Sequence, residues 1–511
     1  MKTPFACLSA RLILPISSLL MILAPSAASQ NQPATVAGTN QASGRAATTI
    51  ATPSLCAACI RAHMEFLASD AMRGRGSGTA DELLAATYVG SQLRAYGIAP
   101  AGDNDSYIQR AVLQQPKLSA PPRITFVKSA SGGTAETITW TYGQDFIARR
   151  LSQTHFSGKL RIDPPAQERA QGKEQNQDKR QDEDGTQLSG CIVLIVDGTG
   201  DRKKQRARLR ALAAAGAVAA IEVVGTEDAG HFKEKGKDLP ELPIQIEGSL
   251  PALSDSFNVL QVGADSARVL QALPANTELN FDSSFTGEQK YTWNALGILR
   301  GRDPRLRDSA VLLSAHLDHL GIGKAVKGDE IYNGADDDAS GTTAVLELAR
   351  ILGKGVRPRR TVIFALFGSE ELGGLGSTYF REHPPLPLDH IATNLEFEML
   401  GRPDSAVKLD ELWLTGWERS NLGPALLAKG ARLTRDPHPD QNFFARSDNY
   451  ALAEKGVVAQ TVSSYGLHSD YHQPSDDVSH IDFKHMDDAI GSLLGPVSWL
   501  VNSSFTPRWN A

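Results

Sequence analysis

A chain of 511 residues is longer than one domain usually grows, so two or more folded units are expected. Its 41% hydrophobic and 22% charged content describes an ordinary globular protein, and a net charge of −6 leaves no basic footprint for nucleic acid.

Residues 1–29 combine Lys2 and Arg11, an apolar run from Leu12 to Ala24, and the small residues Ser26, Ala27, Ala28 and Ser29, where a signal peptidase could cut. They read as an export signal, so the mature protein is expected in the periplasm or outside the cell. The run holds Pro15 and two serines and is shorter than the ~20 residues of a membrane span, so no stable anchor is expected. Residues 30–54, rich in Ala, Thr, Gln, Asn, Gly and Ser, read as a flexible linker. The pair Cys56 and Cys59 is open to three readings, a local disulfide, a redox motif or half of a metal site, and the disulfide is favoured. Cys191, at the head of an apolar run, reads as a buried thiol.

Order is expected from Leu55. The spacing predicts a helix over Ile60–Ala68, a glycine-rich turn over Arg73–Gly78 and a second helix over Ala80–Tyr96. From residue 121 to 285 the character changes. Strand-like runs at Ile124–Val127 and Ile138–Tyr142 lead into a charged, Gln-rich surface segment from Pro164 to Gly190. A strand at Ile192–Val196, an Ala-rich helix at Lys203–Ala215 and a strand at Val218–Val224 follow. This block reads as an inserted, smaller, β-rich α/β domain, with residues 55–120 and 286–511 forming the two parts of the main domain. In the second part, strand-like runs at Ala295–Leu299, Ala310–Ala315, Thr361–Phe367, Ile391–Met399 and Val457–Val462 alternate with helical ones. That alternation predicts an α/β fold with a mostly parallel central sheet flanked by helices, and ligands at the carboxyl ends of its strands.

Several chemically loaded residues fall at those ends. The second strand delivers His316, followed by Asp318. The third delivers Glu370 and Glu371, and the fourth carries Glu398. Between them stand three consecutive aspartates, Asp336, Asp337 and Asp338. One aspartate before a helix commonly caps it, but three beside an upstream histidine point to cations that offset their repulsion. A polar loop after the last strand adds Tyr471 and His472.

The motifs HLDH (316–319), GADDDASG (334–341), GSEELGGLGS (368–377), FEMLG (397–401) and DYHQPSDD (470–477) together resemble the co-catalytic di-zinc aminopeptidases of the MH clan. That group also takes in glutamate carboxypeptidase and transferrin-receptor-like proteins. The resemblance runs over Leu55–Ala120 and Tyr291–Val501, and the block between resembles a protease-associated domain. It implies two Zn²⁺ per chain, one held by His316 and Glu398, the other by Glu371 and His472, with Asp337 bridging both. It further implies Glu370 as general base, Tyr471 as oxyanion partner and Asp318 as the residue orienting the His316 ring. The position of Glu398 is often Asp in the family, which leaves the geometry there less fixed. His319, His468 and His480 read as hydrogen-bonding neighbours, Arg446 and Asp448 as pocket lining or support, and Arg73 and Arg75 as braces of the turn.

The expected function is hydrolysis of amino-terminal residues from peptide substrates by an exported zinc peptidase. The alternatives are a carboxypeptidase or dipeptidase, which needs a basic cluster for the substrate carboxylate, and a non-catalytic receptor-like protein, which has no need of Glu370. The sequence does not set the oligomeric state.

Overall fold

The computed structural model describes residues 54–129, 135–163, 188–196, 202–248 and 257–510. The export-signal and linker readings up to residue 53, and residues 164–187 of the Gln-rich segment, lie outside them.

Four strands, Val362–Phe367, Ala310–His316, Ile391–Glu398 and Ala459–Ser463, lie side by side and run parallel. They are buried almost throughout, which is why they read as continuous apolar runs rather than alternating ones. Successive side chains still face opposite ways. Val311, Leu313 and Ala315 enter one core, covered by the helices Ala57–Leu67, Ala80–Ala95, Gly341–Lys354 and Phe483–Asn502. Ala310 and Leu312 enter a second, under the helices Leu375–Glu382 and Asn449–Ala453. The result is an α/β/α sandwich.

The parallel centre has antiparallel margins. The strand Phe285–Leu299 runs against Val362–Phe367 and forms a long antiparallel ladder with Ile108–Leu118. Its sense is reversed because it returns along that ribbon from a second sheet, and so joins its neighbours from the opposite end. Among the described residues that second sheet has eight strands, drawn from Arg123 to Asp282, around its own core of Phe126, Phe146, Leu194, Leu260 and Phe281. A short strand from the same stretch, Gln245–Ile246, pairs with Leu113 and Gln114 on the margin of the main sheet.

Cys56 and Cys59 form a disulfide at the start of the first helix, and Cys191 is a buried thiol. On the inner side of that helix His63 is held between two hydroxyls, Nδ1 2.8 Å from Tyr88 Oη and Nε2 2.9 Å from Tyr96 Oη. Burial, and secondarily the charge of Arg350, depress its pKa to about 4. An unfolded imidazole, with a pKa of 6.5, takes up a proton that the folded one refuses until about pH 4. Stability is therefore lost as pH falls from about 6.5 towards about 4, and His63 should account for about 2 kcal/mol of that loss by pH 5. Urea midpoints at pH 7 and pH 5 test this: the gap between them should narrow in His63→Gln, and an unchanged gap would refute it.

Candidate metal centre

The carboxyl ends of the parallel strands carry the candidate residues because register aligns them. His316 lies level with Phe367, three residues before Glu370, and Ser314 lies level with Glu396, two before Glu398. The three aspartates enter from the side on a tight segment, Ala335–Ser340, immediately before the helix Gly341–Lys354. Each aspartate does something different. Asp338 Oδ1 accepts the backbone N–H of Gly341 and of Met399, so it joins the helix start to the end of the fourth strand. Asp336 Oδ1 accepts the N–H of Gly401, and its Oδ2 lies 3.0 Å from His468 Nε2. The middle carboxylate faces His316 and His472: Asp337 Oδ1 is 3.1 Å from His316 Nε2, and Oδ2 is 3.3 Å from His472 Nε2.

Two groups of donors result. His316, Asp337 and Glu398 form one, and His319, Asp337 and Glu371 the other, with the donor atoms of each group within 4.8 Å of one another. His472 reaches the second group from its open side, Nε2 lying 3.2 Å from Glu371 Oε2. Both nitrogens of His316 and of His319, Nε2 of His472 and Oε1 of Glu371 are buried without a hydrogen-bond partner. Buried polar atoms are rarely left so. Imidazole nitrogens and carboxylate oxygens facing one another at these separations are the donor set that zinc and similar divalent cations take, and the residues fit such ions.

The electrostatics express the same need for positive charge. Burial alone would drive the His316 imidazole down, but Asp318 and Asp337 hold it well above its ordinary range. His472, likewise disfavoured by burial, is pushed up to about 10 by Asp337 and Glu371. Burial pushes Glu370 well above the usual carboxylate range, and the nearby charges of Asp448, Glu398 and Glu371 add to it against the pull of His316.

The Glu370–Glu371 turn is held from below. Asp318 Oδ1 accepts the backbone N–H of Glu370 at 3.0 Å and Oδ2 that of Glu371 at 3.3 Å, while His316 Nδ1 stands 3.7 Å from Oδ1, beyond hydrogen-bond reach. Asp318 therefore sets the turn more directly than it sets the ring. A second buried carboxylate supports the same turn: Glu82 accepts from the backbone of Gly78 and Trp293 and from the hydroxyls of Thr292 and Ser369. Burial, then the charge of Asp318, raise its pKa to about 8. Asp448 is also sunk behind the site, its pKa raised to about 7 chiefly by burial. His480 stays at the surface near Asp477, and Arg73 pairs with Asp81.

Sequence reasoning missed Glu82 and Asp476. Asp476 accepts the backbone N–H groups of Asp336 and Asp337, so it fixes the aspartate segment. Its place inside DYHQPSDD was the available signal. Glu82 gave none, since an acidic residue in a first helical turn is ordinary.

A cavity of about 240 Å³ opens over the donors, lined by Asp337, Glu370, Glu371 and Glu398 on one side and by Trp413, Phe443, Tyr465 and Tyr471 on the other. The Tyr471 ring stacks on His472, with centroids 3.9 Å apart, and its hydroxyl lies 3.4 Å from Arg446 Nη2. Burial and the surrounding carboxylates push its pKa up, so it stays a proton donor. A wider cleft of about 620 Å³ continues past Glu370 and Arg446 to Arg150 and Ile246.

The described residues form an α/β sandwich with two facing groups of histidine and carboxylate donors at its strand ends, each of which could hold a metal ion. Residues 294–494 match the model of Peptidase family M28, and the chain carries a domain of that family. Among curated relatives, an aminopeptidase of Pseudomonas aeruginosa is 28% identical over 217 residues, covering 42% of this chain and 35% of that one. Aminopeptidase YwaD of Bacillus subtilis is 26% identical over 225 residues, 42% of this chain and 46% of its own length. The chain thus spans less than half of these relatives. Of solved structures, a zinc aminopeptidase from Bacillus subtilis aligns over 89% of this chain and 97% of its own, at 18% identity and a TM-score of 0.46.

Proposed function

We propose that the protein is an exported aminopeptidase that uses two zinc ions. The observation that carries this reading is the cavity of about 240 Å³, closed by four carboxylates and four aromatic rings directly over the donor groups. A space of that size takes one side chain, and with Asp337, Glu371 and Glu398 turned to the ions, Glu370 is the carboxylate left to meet a substrate ammonium group. His316, Glu398 and Asp337 would hold one ion, and Glu371, His472 and Asp337 the other. Such ions polarise a carbonyl and make water a nucleophile near neutral pH.

The chain's own groups supply the rest. Glu370, with its backbone held by Asp318, accepts a proton from the attacking water and returns it to the departing amine. Tyr471, kept protonated, donates to the oxygen that gains charge. The aromatic wall grips the terminal side chain and keeps bulk water out. Export is supported by the character of residues 1–29 and by the Cys56–Cys59 disulfide, a bond of oxidising compartments. Among the described residues no helix is long and apolar enough to cross a membrane.

One observation favours a second reading, a carboxypeptidase or dipeptidase: Arg446 stands where cavity and cleft meet and could take a carboxylate. Peptides with free and with acetylated amino termini separate the two. Cleavage of only the free-amine peptides, abolished by a chelator and restored by zinc, is expected. Cleavage indifferent to acetylation would overturn the aminopeptidase reading, and cleavage indifferent to the chelator would overturn the metal.

A further inference from the structure

We propose that His319 is a protein donor to the second metal position, beside Asp337, Glu371 and His472, outside the five ligands that the resemblance implies. The inference rests on the metal reading above and goes one residue beyond it.

A buried histidine with a purely structural role shows what that role requires. His63 is such a residue, and each of its ring nitrogens meets a tyrosine hydroxyl within 2.9 Å. His319 is fully buried and neither of its nitrogens completes a hydrogen bond. Its Nδ1 instead lies 2.8 Å from Glu371 Oε1, which is also without a hydrogen bond, and 3.9 Å from Asp337 Oδ2. Glu371 thus offers one oxygen to each of two histidines, Oε1 to His319 and Oε2 to His472. The two rings meet edge to face, with centroids 5.6 Å apart.

The backbone holds His319 in this place. Its N–H donates to Arg75 O and its carbonyl accepts from Ser77 N, each at 3.1 Å, so the residue is tied to the turn before the second helix. Gly334 clears room for the ring: a Cβ there would come within 2.5 Å of His319 Cγ, and the position has φ +59°. Packing and backbone therefore both direct an unsatisfied imidazole at two carboxylates, which is the situation of a ligand.

The consequence is asymmetry. The position shared by His316, Glu398 and Asp337 has three protein donors and the other has four, so the two ions should leave at different chelator concentrations.

Metal content per chain after dialysis against graded dipicolinate, the visible spectrum of the cobalt-loaded protein, and a count of imidazoles around zinc by X-ray absorption test the proposal. In the wild-type protein we expect two metals lost in two steps and three imidazoles for every two zincs. His319→Ala should shift the later step to a chelator concentration at least about tenfold lower, reduce the imidazole count by one and alter the cobalt bands. Two imidazoles per two zincs in the wild type, or a variant with an unchanged cobalt spectrum, would overturn the proposal even if the variant bound metal more weakly, since a residue that merely supports Glu371 could weaken binding. The imidazole count needs no variant, so it decides even if His319→Ala misfolds. A wild-type chain that binds no zinc at all would sink the metal reading itself, and this inference with it.

Discussion

Glu370→Gln is expected to lower kcat by about 10³-fold, at the middle of the range for a lost general base, while leaving metal content and KM close to those of the parent. The amide matches the carboxylate in shape and keeps the backbone N–H that Asp318 accepts, so the turn should survive. What it cannot do is take a proton. Glu370 lines both the small cavity and the wider cleft, so its side chain stands where a substrate must pass. Burial raises its pKa well above the usual carboxylate range, which favours its taking up a proton. Glu371→Gln should behave differently, because that carboxylate faces His319 and His472 and its loss removes a donor. Initial rates together with metal analysis check both. A Glu370→Gln variant with more than about a tenth of the parent's turnover would assign the proton transfer elsewhere.

The parts of the site legible in the sequence are those where one residue type at one strand end carries the chemistry. His316 and the glutamate pair follow apolar runs whose ends could be read off directly, and register then brings His316 and Phe367 level. The triplet of aspartates was legible as a group, and the structure separates them by their bonds: two outer carboxylates that accept backbone N–H groups, Asp336 also meeting His468, and a middle one turned to His316 and His472. The supports were not legible, because they come from far along the chain. Glu82 meets Trp293 and Ser369 across more than 200 residues, and no local pattern marks an acidic side chain destined for burial. The sheet margins failed for a related reason. A strand that arrives along a ribbon from another sheet has the same composition as one that arrives by a crossover, so its direction is set by topology and leaves no trace in its own residues. His319 reads from the sequence as a neighbour because a histidine near a motif ordinarily is one. Only its burial and its unmatched nitrogens distinguish it.

Arg75→Ala is expected to destabilise the protein by more than about 4 kcal/mol, because one guanidinium holds four backbone carbonyls and leaving each unpaired costs about 1–3 kcal/mol. Arg75 is fully buried, in the left-handed region at φ +47°. Its Nε donates to Leu317 O, its Nη1 to Leu67 O and Asn333 O, and its Nη2 to Gly334 O, all within 2.9 Å. These carbonyls belong to the end of the first helix, to the HLDH turn and to the loop that opens the aspartate segment. The side chain therefore ties together the two loops that present His316, His319 and Asp337. It is also a cation set among Asp318, Asp338, Asp476 and Asp337, whose charges offset part of the cost of burying it. Arg75→Lys keeps the charge but replaces a flat fork with three donors on a single nitrogen, so it cannot serve four carbonyls at once and should lose about half as much. Urea titrations of the three proteins, with metal content measured in each, test the argument: both variants should lose metal together with stability, Ala more than Lys. An Arg75→Ala protein that unfolds within a few tenths of a kcal/mol of the parent and keeps its metals would show that the two loops hold the site without their brace.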